Sequence, residues 1–376
     1  MRYFLGSLGS NFSQSANLSH SFAYLTEAVI VLDTYYTPML IIYGVVTNLL
    51  SAIMLLRNRS CRGSHRYWPY IVGVSITDSI FLLSLLAVWL EMVFGFRLYS
   101  GDGWCQAITC LSSISAFLSL WYAVALSVDR FLFVFVPLKR NVLTTSARAK
   151  FVCLGLLWLA VPVYINMSII SGTVRISHDT TLCVKLRRFQ SAMKILSKVD
   201  LILNVFVPYT GIVLINIAIG FRLIKSFVVG QPTCEEERMK SGVELALNYD
   251  EKKKSPGVAG TSALANQTVV PLVVGLLFLA LNLPAHSFET YVVISNLVRN
   301  GNGVQLSTYI LQKTLMILWY SRMATTFLAL VIFDQSFRRH LVAVLWWNRK
   351  NVLDAVTFEF PASDGTEEPS AETTTV

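Results

Sequence analysis

The sequence predicts an all-α fold, a seven-transmembrane-helix bundle with an amphipathic helix on the inner leaflet after the last span. Three observations predict it. Hydrophobic residues make up 54% of the 376-residue chain and charged residues only 14%, against about 25% charged in a soluble domain. With a mean hydropathy of +0.56, composition alone points to the membrane class. Seven stretches reach the roughly 20 mostly apolar residues that a helix needs to cross the hydrocarbon core. The basic residues behind a net charge of +9 lie mainly in short segments between those stretches, which fits membrane topology better than nucleic-acid binding.

The predicted spans are Tyr36–Leu56, Pro69–Phe94, Gln106–Val136, Ala149–Ile170, Leu196–Ile224, Leu264–Leu297 and Leu306–Phe333. The third, fifth and sixth are long enough to tilt or to extend past the bilayer. Arg57 to Arg66, then Lys139, Arg140, Arg148 and Lys150, then Arg338 and Arg339 all fall on one side. The positive-inside rule makes that side cytoplasmic and the N-terminus extracellular. Met1 to Ser10 holds too short an apolar run for a cleavable signal peptide, so the first span is expected to direct insertion. Asn11 and Asn17 open Asn-x-Ser triplets in the N-terminal tail and are the expected glycosylation sites.

The resulting organisation is a tail over 1–35, the bundle over 36–333, a membrane-surface helix over 334–347 and a cytoplasmic tail over 348–376. In the surface helix Phe337, Leu341, Val344 and Leu345 form the apolar face, and Arg338, Arg339 and His340 face headgroups. The last segment is polar, acidic and expected to be disordered. It ends in Thr374-Thr375-Val376, a pattern that PDZ domains take as an added strand.

Polar groups inside a membrane are costly and each asks for a reason. Asn48 and Asp78 sit near the middle of spans one and two, and span three closes on Asp129-Arg130-Phe131, then Val134 and Pro137-Leu138. Trp158, Pro208 and Pro284 mark spans four, five and six. On these residues the chain resembles the rhodopsin-like (class A) G-protein-coupled receptors over about Tyr36 to Leu345. It is also loosely similar to invertebrate neuropeptide receptors of the FMRFamide type, on the stretch Asp200 to Pro208 and the paired glycosylation triplets. The resemblance implies a receptor that passes an extracellular signal to a heterotrimeric G-protein, with Asp129, Arg130 and Pro137 at the coupling end. It implies a Cys105–Cys183 disulfide on the oxidising side, and phosphorylation of the tail to recruit arrestin. It implies no cofactor and no resident enzyme chemistry.

The chain departs from the family pattern in its last two spans. Leu281-Asn282-Leu283-Pro284 stands where relatives carry Cys-Trp-x-Pro, so Phe278, one turn earlier, is expected to take over part of the aromatic packing. Thr326-Phe327-Leu328-Ala329-Leu330 replaces Asn-Pro-x-x-Tyr, and Asn216 replaces the usual tyrosine of span five. Arg322 lies in the middle of span seven. A buried arginine without a partner costs several kcal/mol, so an Asp78–Arg322 ion pair is expected where relatives hold sodium beside a serine, here Ser119. The alternative is an unpaired Arg322 facing a water-filled cavity.

Ser112 occupies the position where aminergic relatives carry an aspartate, which argues against a small biogenic amine. Glu91, Asp200, Glu289 and His286 line the expected outer pocket, and Lys185, Arg187 and Arg188 its rim. Carboxylates inside and bases at the rim suit a peptide ligand with a cationic end; the alternative for each acid is ordinary interfacial charge. A seven-helix transporter or channel is the competing function, but no internal repeat supports it. The five histidines are scattered, so neither a catalytic constellation nor a metal site emerges.

Overall fold

The structure, a computed structural model, describes residues 16–57, 66–101, 103–136, 140–175, 181–228, 256–298 and 306–344. Six helices within these residues are long and apolar enough to cross a membrane, and a bent pair supplies a seventh crossing.

Span one belongs to the helix Ala16–Arg57, which starts well ahead of the expected Tyr36. Its projecting turns are tied to span seven by an ion pair from Asp33 to Lys313 at 3.4 Å. Span two is the helix Trp68–Phe94. Pro69 sits in its first turn, where a missing N–H costs nothing. It ends at Gly95, whose φ of 74° lets its N–H reach the carbonyl of Glu91; this left-handed conformation favours glycine. Span three, Trp104–Phe135, is central and packs against spans two, four, five and six. Span four, Ser146–Ile170, is capped by Thr145, whose hydroxyl oxygen accepts from the Arg148 N–H at 3.3 Å.

An antiparallel hairpin, β1 (Ser171–Arg175) and β2 (Thr181–Lys185), follows span four with Thr173 opposite Cys183. Span five is assembled from Gln190–Leu201, a π-turn over Ile202–Phe206, and Val207–Val228. Such a turn inserts one extra residue and re-aims the side chains around it. The Trp121 indole N–H donates to the Leu203 carbonyl inside that turn at 3.2 Å. Span six is the helix Pro256–Val298, with Pro271 and Pro284 inside it.

The seventh crossing differs from the continuous helix expected over Leu306–Phe333. It is broken into Leu306–Arg322 and Thr326–Phe333, bent by 47°. No proline forces this break. The turn at Met323–Thr325 is closed by local N–H···O bonds to the carbonyls of Tyr320, Ser321 and Arg322, and the Thr325 hydroxyl also donates to the Arg322 carbonyl at 2.7 Å. Asp334 then accepts from the N–H groups of Ser336 and Phe337, at 2.9 and 3.0 Å, and caps the helix over 335–344. Phe337 of that helix is buried edge-on against Phe327, as the amphipathic pattern requires. Leu345 to Trp347 lie outside the described residues.

Candidate functional site

A cavity of about 380 Å³ opens at the disulfide end of the bundle. Spans two to seven wall it, span two through Phe81 and span four through Tyr164 and Met167, and β2 reaches it through Lys185. Cys105 at the start of span three is bonded to Cys183 of β2, with Cα atoms 5.6 Å apart. That bond fixes the hairpin over the end of span three.

The two acids expected in the pocket and present there are held differently. Asp200 accepts from the Tyr164 hydroxyl at 2.7 Å and from the Asn204 amide at 2.5 Å. Asn204, four residues after Asp200, reaches both partners, since its amide also donates to the Tyr164 oxygen at 2.6 Å. Glu289 is 53% exposed and lies 3.5 Å from His286. His286 itself lies tilted against Tyr209 and edge-on to Trp319, with ring centroids 5.8 and 5.5 Å away. Ser112 lines the cavity, but its hydroxyl donates to the Thr109 carbonyl of its own helix at 3.1 Å.

Glu91 is a correction. It does not line the cavity. Its carboxylate accepts from the backbone N–H groups of Tyr99 and Ser100, each at 2.7 Å, and from the Ser100 hydroxyl. Gly95 turns the chain back over the end of span two, and the carboxylate holds the loop at Tyr99 and Ser100.

The cavity descends to Phe278, Asn282 and Arg322. The Arg322 guanidinium donates twice to Asp78, at 3.0 Å to Oδ2 and 2.7 Å to Oδ1. The Ser119 hydroxyl donates to the same Oδ1 at 2.6 Å. Asp78 is fully buried and the Arg322 side chain is 3% exposed. The guanidinium carbon lies over the Phe278 ring, 4.3 Å from its centre. This bidentate geometry is the strong form of a charged hydrogen bond, and it excludes the alternative of an unpaired Arg322. Asn48 lies beside the break in span seven and donates to the Met323 carbonyl at 2.7 Å.

At the opposite end Arg130 is buried and paired with Asp129, its Nε donating at 3.1 Å. Its guanidinium carbon lies over the rings of Tyr67 and Phe133, 4.5 and 4.9 Å from their centres. Pro137 and Asn11 lie outside the described residues, as does Thr374–Val376, and Asn17 falls in the first turn of the first helix. Among the described residues no group of His, Cys, Asp or Glu is arranged to hold a metal ion.

Sequence reasoning does not assign Tyr164, Asn204, Trp319, Asn282 or Tyr67 to either site. Asn204 is one helical turn from Asp200, but its contact with Tyr164 comes from packing between spans. Tyr67 sits in a loop where spacing says nothing about its neighbours.

Comparison with known proteins agrees with this architecture. The description "7 transmembrane receptor (rhodopsin family)" matches residues 47–332. The chain is similar to "G-protein coupled receptor 183" of Mus musculus, 26% identical over 188 residues, which covers 49% of this chain and 52% of the relative. The Homo sapiens protein of that name is 29% identical over 140 residues, 37% of this chain and 38% of its own. "Neuromedin-U receptor 1" of Homo sapiens is 30% identical over 121 residues, 32% of this chain and 28% of its own. The chain thus spans about half the length of the first curated relatives it matches. The family match covers most of the bundle, from Thr47 in span one to Ile332 near the end of span seven, and with the disulfide-bridged cavity and the buried Asp129–Arg130 pair it places the chain in the rhodopsin family of seven-transmembrane receptors.

Proposed function

We propose that this protein is a plasma-membrane receptor, N-terminus outside, that binds an extracellular neuropeptide and passes the signal to a heterotrimeric G-protein. The observation that carries the reading is the open cavity with Glu289, Asp200 and Lys185 around its mouth and a buried charge pair at its floor. Acids and a base at the mouth suit a peptide with a cationic end and an oppositely charged body. The relative named "Neuromedin-U receptor 1" supports a peptide over a small amine. Family membership leaves the transporter alternative without support of its own.

In this reading a peptide reaching Asn282 and Phe278 acts on span six below Pro284 and, through Arg322, on the break in span seven. At the cytoplasmic end the helices part and Arg130 leaves its stacked position to meet the G-protein. Arrestin at the phosphorylated tail and a PDZ domain at Thr374–Val376 complete the proposed partners.

The test is a peptide-library screen in cells co-expressing a promiscuous G-protein, with silence across all peptides counting against a peptide ligand. For an active peptide, Glu289→Gln is expected to lower potency about 10-fold, the worth of one partly exposed charged contact. Asp200→Asn is expected to do at least as much, because it also loosens Tyr164 and Asn204. Unchanged potency in both variants would sink the carboxylate pocket.

The stacked Arg130 yields a further expectation. A guanidinium–aromatic contact is worth about 0.5–2 kcal/mol, and Tyr67→Ala removes one. Ligand-independent signalling, normalised to surface expression, should rise about 2–30-fold. Tyr67→Phe keeps the ring and should stay near wild type; equal effects from both substitutions would rule out the stacking account.

A further inference from the structure

The family resemblance implies a sodium ion beside Asp78, and the residues here do not fit one. A hard cation needs several oxygens with free lone pairs converging on one point. Both carboxylate oxygens of Asp78 are engaged by Arg322, at 3.0 and 2.7 Å, and Ser119 turns its hydroxyl hydrogen toward Oδ1 at 2.6 Å. The site is also electrically balanced: one carboxylate and one guanidinium, 0% and 3% exposed. A further positive ion would leave a net charge in a medium of low dielectric, where an uncompensated charge is strongly disfavoured.

We propose that the Arg322 guanidinium is a built-in cation that closes the Asp78 site to sodium, and that shortening Arg322 turns the site into one that takes sodium. The tethered cation differs from an ion in a second way. Arg322 also lines the ligand cavity, its guanidinium carbon over the Phe278 ring, and its backbone carbonyl closes the break in span seven. An exchangeable ion has no such connections. Here the Asp78 counter-charge, the cavity floor and the bend are one residue, so receptor stability follows the protein's own conformation and not the salt outside.

Two features make a latent sodium site reasonable. Removing the guanidinium leaves the Asp78 carboxylate with its charge unmatched, the strongest local attraction for a small cation. It also leaves the Ser119 hydroxyl oxygen beside that carboxylate as a second ligand. Arg322→Ser adds a third oxygen and the room that the long side chain occupied.

The test is thermal melting of the purified full-length receptor with no ligand, in about 0.15 M sodium chloride against choline and potassium chloride at equal ionic strength, which holds general screening constant. Wild type is expected to melt at the same temperature in all three salts. Arg322→Ser is expected to melt about 2–4 °C higher in sodium than in choline, and the further change Asp78→Asn should abolish that difference. Sodium-specific stabilisation of wild type overturns the proposal. So does a folded Arg322→Ser variant indifferent to sodium, because the site then has no cation-binding shape. If Arg322→Ser does not accumulate, the wild-type comparison still decides, equal melting supporting the built-in cation and a sodium-specific rise overturning it. Neither arm requires a ligand, so the outcome is independent of whether the ligand is a peptide.

Discussion

Asp78→Leu and Arg322→Met each fail to reach the cell surface at wild-type level, whereas the double variant recovers most of it. That is the expected result for a charge pair sealed inside a helical bundle. Asp78 makes three hydrogen bonds, two from Arg322 and one from Ser119, and no part of it reaches solvent. Deleting one partner leaves the other charged with nothing to balance it, a loss of about 3–5 kcal/mol. For a protein whose whole stability is on the order of 5–15 kcal/mol, that loss is enough to send much of the chain to quality control. Replacing both with apolar side chains of similar volume removes the charge and the need for a partner together. Such replacements are often neutral and sometimes stabilising.

Surface expression and the melting temperature of purified protein are the two measurements. The interaction energy between the positions should be large, with the double variant less damaged than the sum of the singles. The charge-reversed pair, Asp78→Arg with Arg322→Asp, is a stricter version, since Ser119 must then accept from a guanidinium. If neither double variant improves on its singles, the pair is not what stabilises this region. Recovery of expression without recovery of signalling would be informative in the other direction. It would assign the pair to switching as well as stability, as expected of a residue that also forms the cavity floor and closes the bend in span seven.

How far this site is legible in the sequence depends on the kind of physics involved. Asp78 and Arg322 are legible because a buried charge in a membrane is so costly that each demands a partner, and few partners exist at that depth. Cys105 and Cys183 are legible from their shared side and the family pattern. Glu91 is misleading because a carboxylate at a helix end looks the same whether it faces a ligand or its own loop. The deciding feature is the left-handed turn at Gly95, which brings the N–H groups of Tyr99 and Ser100 onto it. The break at Met323–Thr325 is not legible, as neither proline nor glycine marks it. The extension of the first helix back to Ala16 is equally hidden, because apolar content locates the membrane and not the end of a helix. Asn204 lies one helical turn after Asp200 and so on its face, but its contact with Tyr164 of span four is set by packing between spans, which spacing along one helix does not reveal.

Cys105→Ser should reduce ligand potency more than it reduces the stability of the bundle. The bond joins residues 78 apart in sequence, and for an unfolded soluble chain closing a loop of that size is worth about 4–5 kcal/mol. Here spans three and four are already threaded through the bilayer, so much of the chain between the two cysteines is ordered by insertion regardless of the bond. The remaining loss falls on the hairpin. Among the described residues these two five-residue strands pair only with one another, and such a hairpin is marginal alone. Without the bridge, β2 is free to leave the end of span three, and Lys185 leaves the cavity mouth with it. An agonist then meets an unorganised entrance and must order the hairpin as it binds, which costs affinity. We expect a melting temperature only a few degrees lower and a potency loss of at least about 10-fold, with Cys183→Ser and the double variant giving the same values. The same potency loss should follow mild reduction of the wild-type receptor. A variant that melts far lower yet binds agonist normally would show that the bridge supports the bundle itself and that the hairpin holds its place without it.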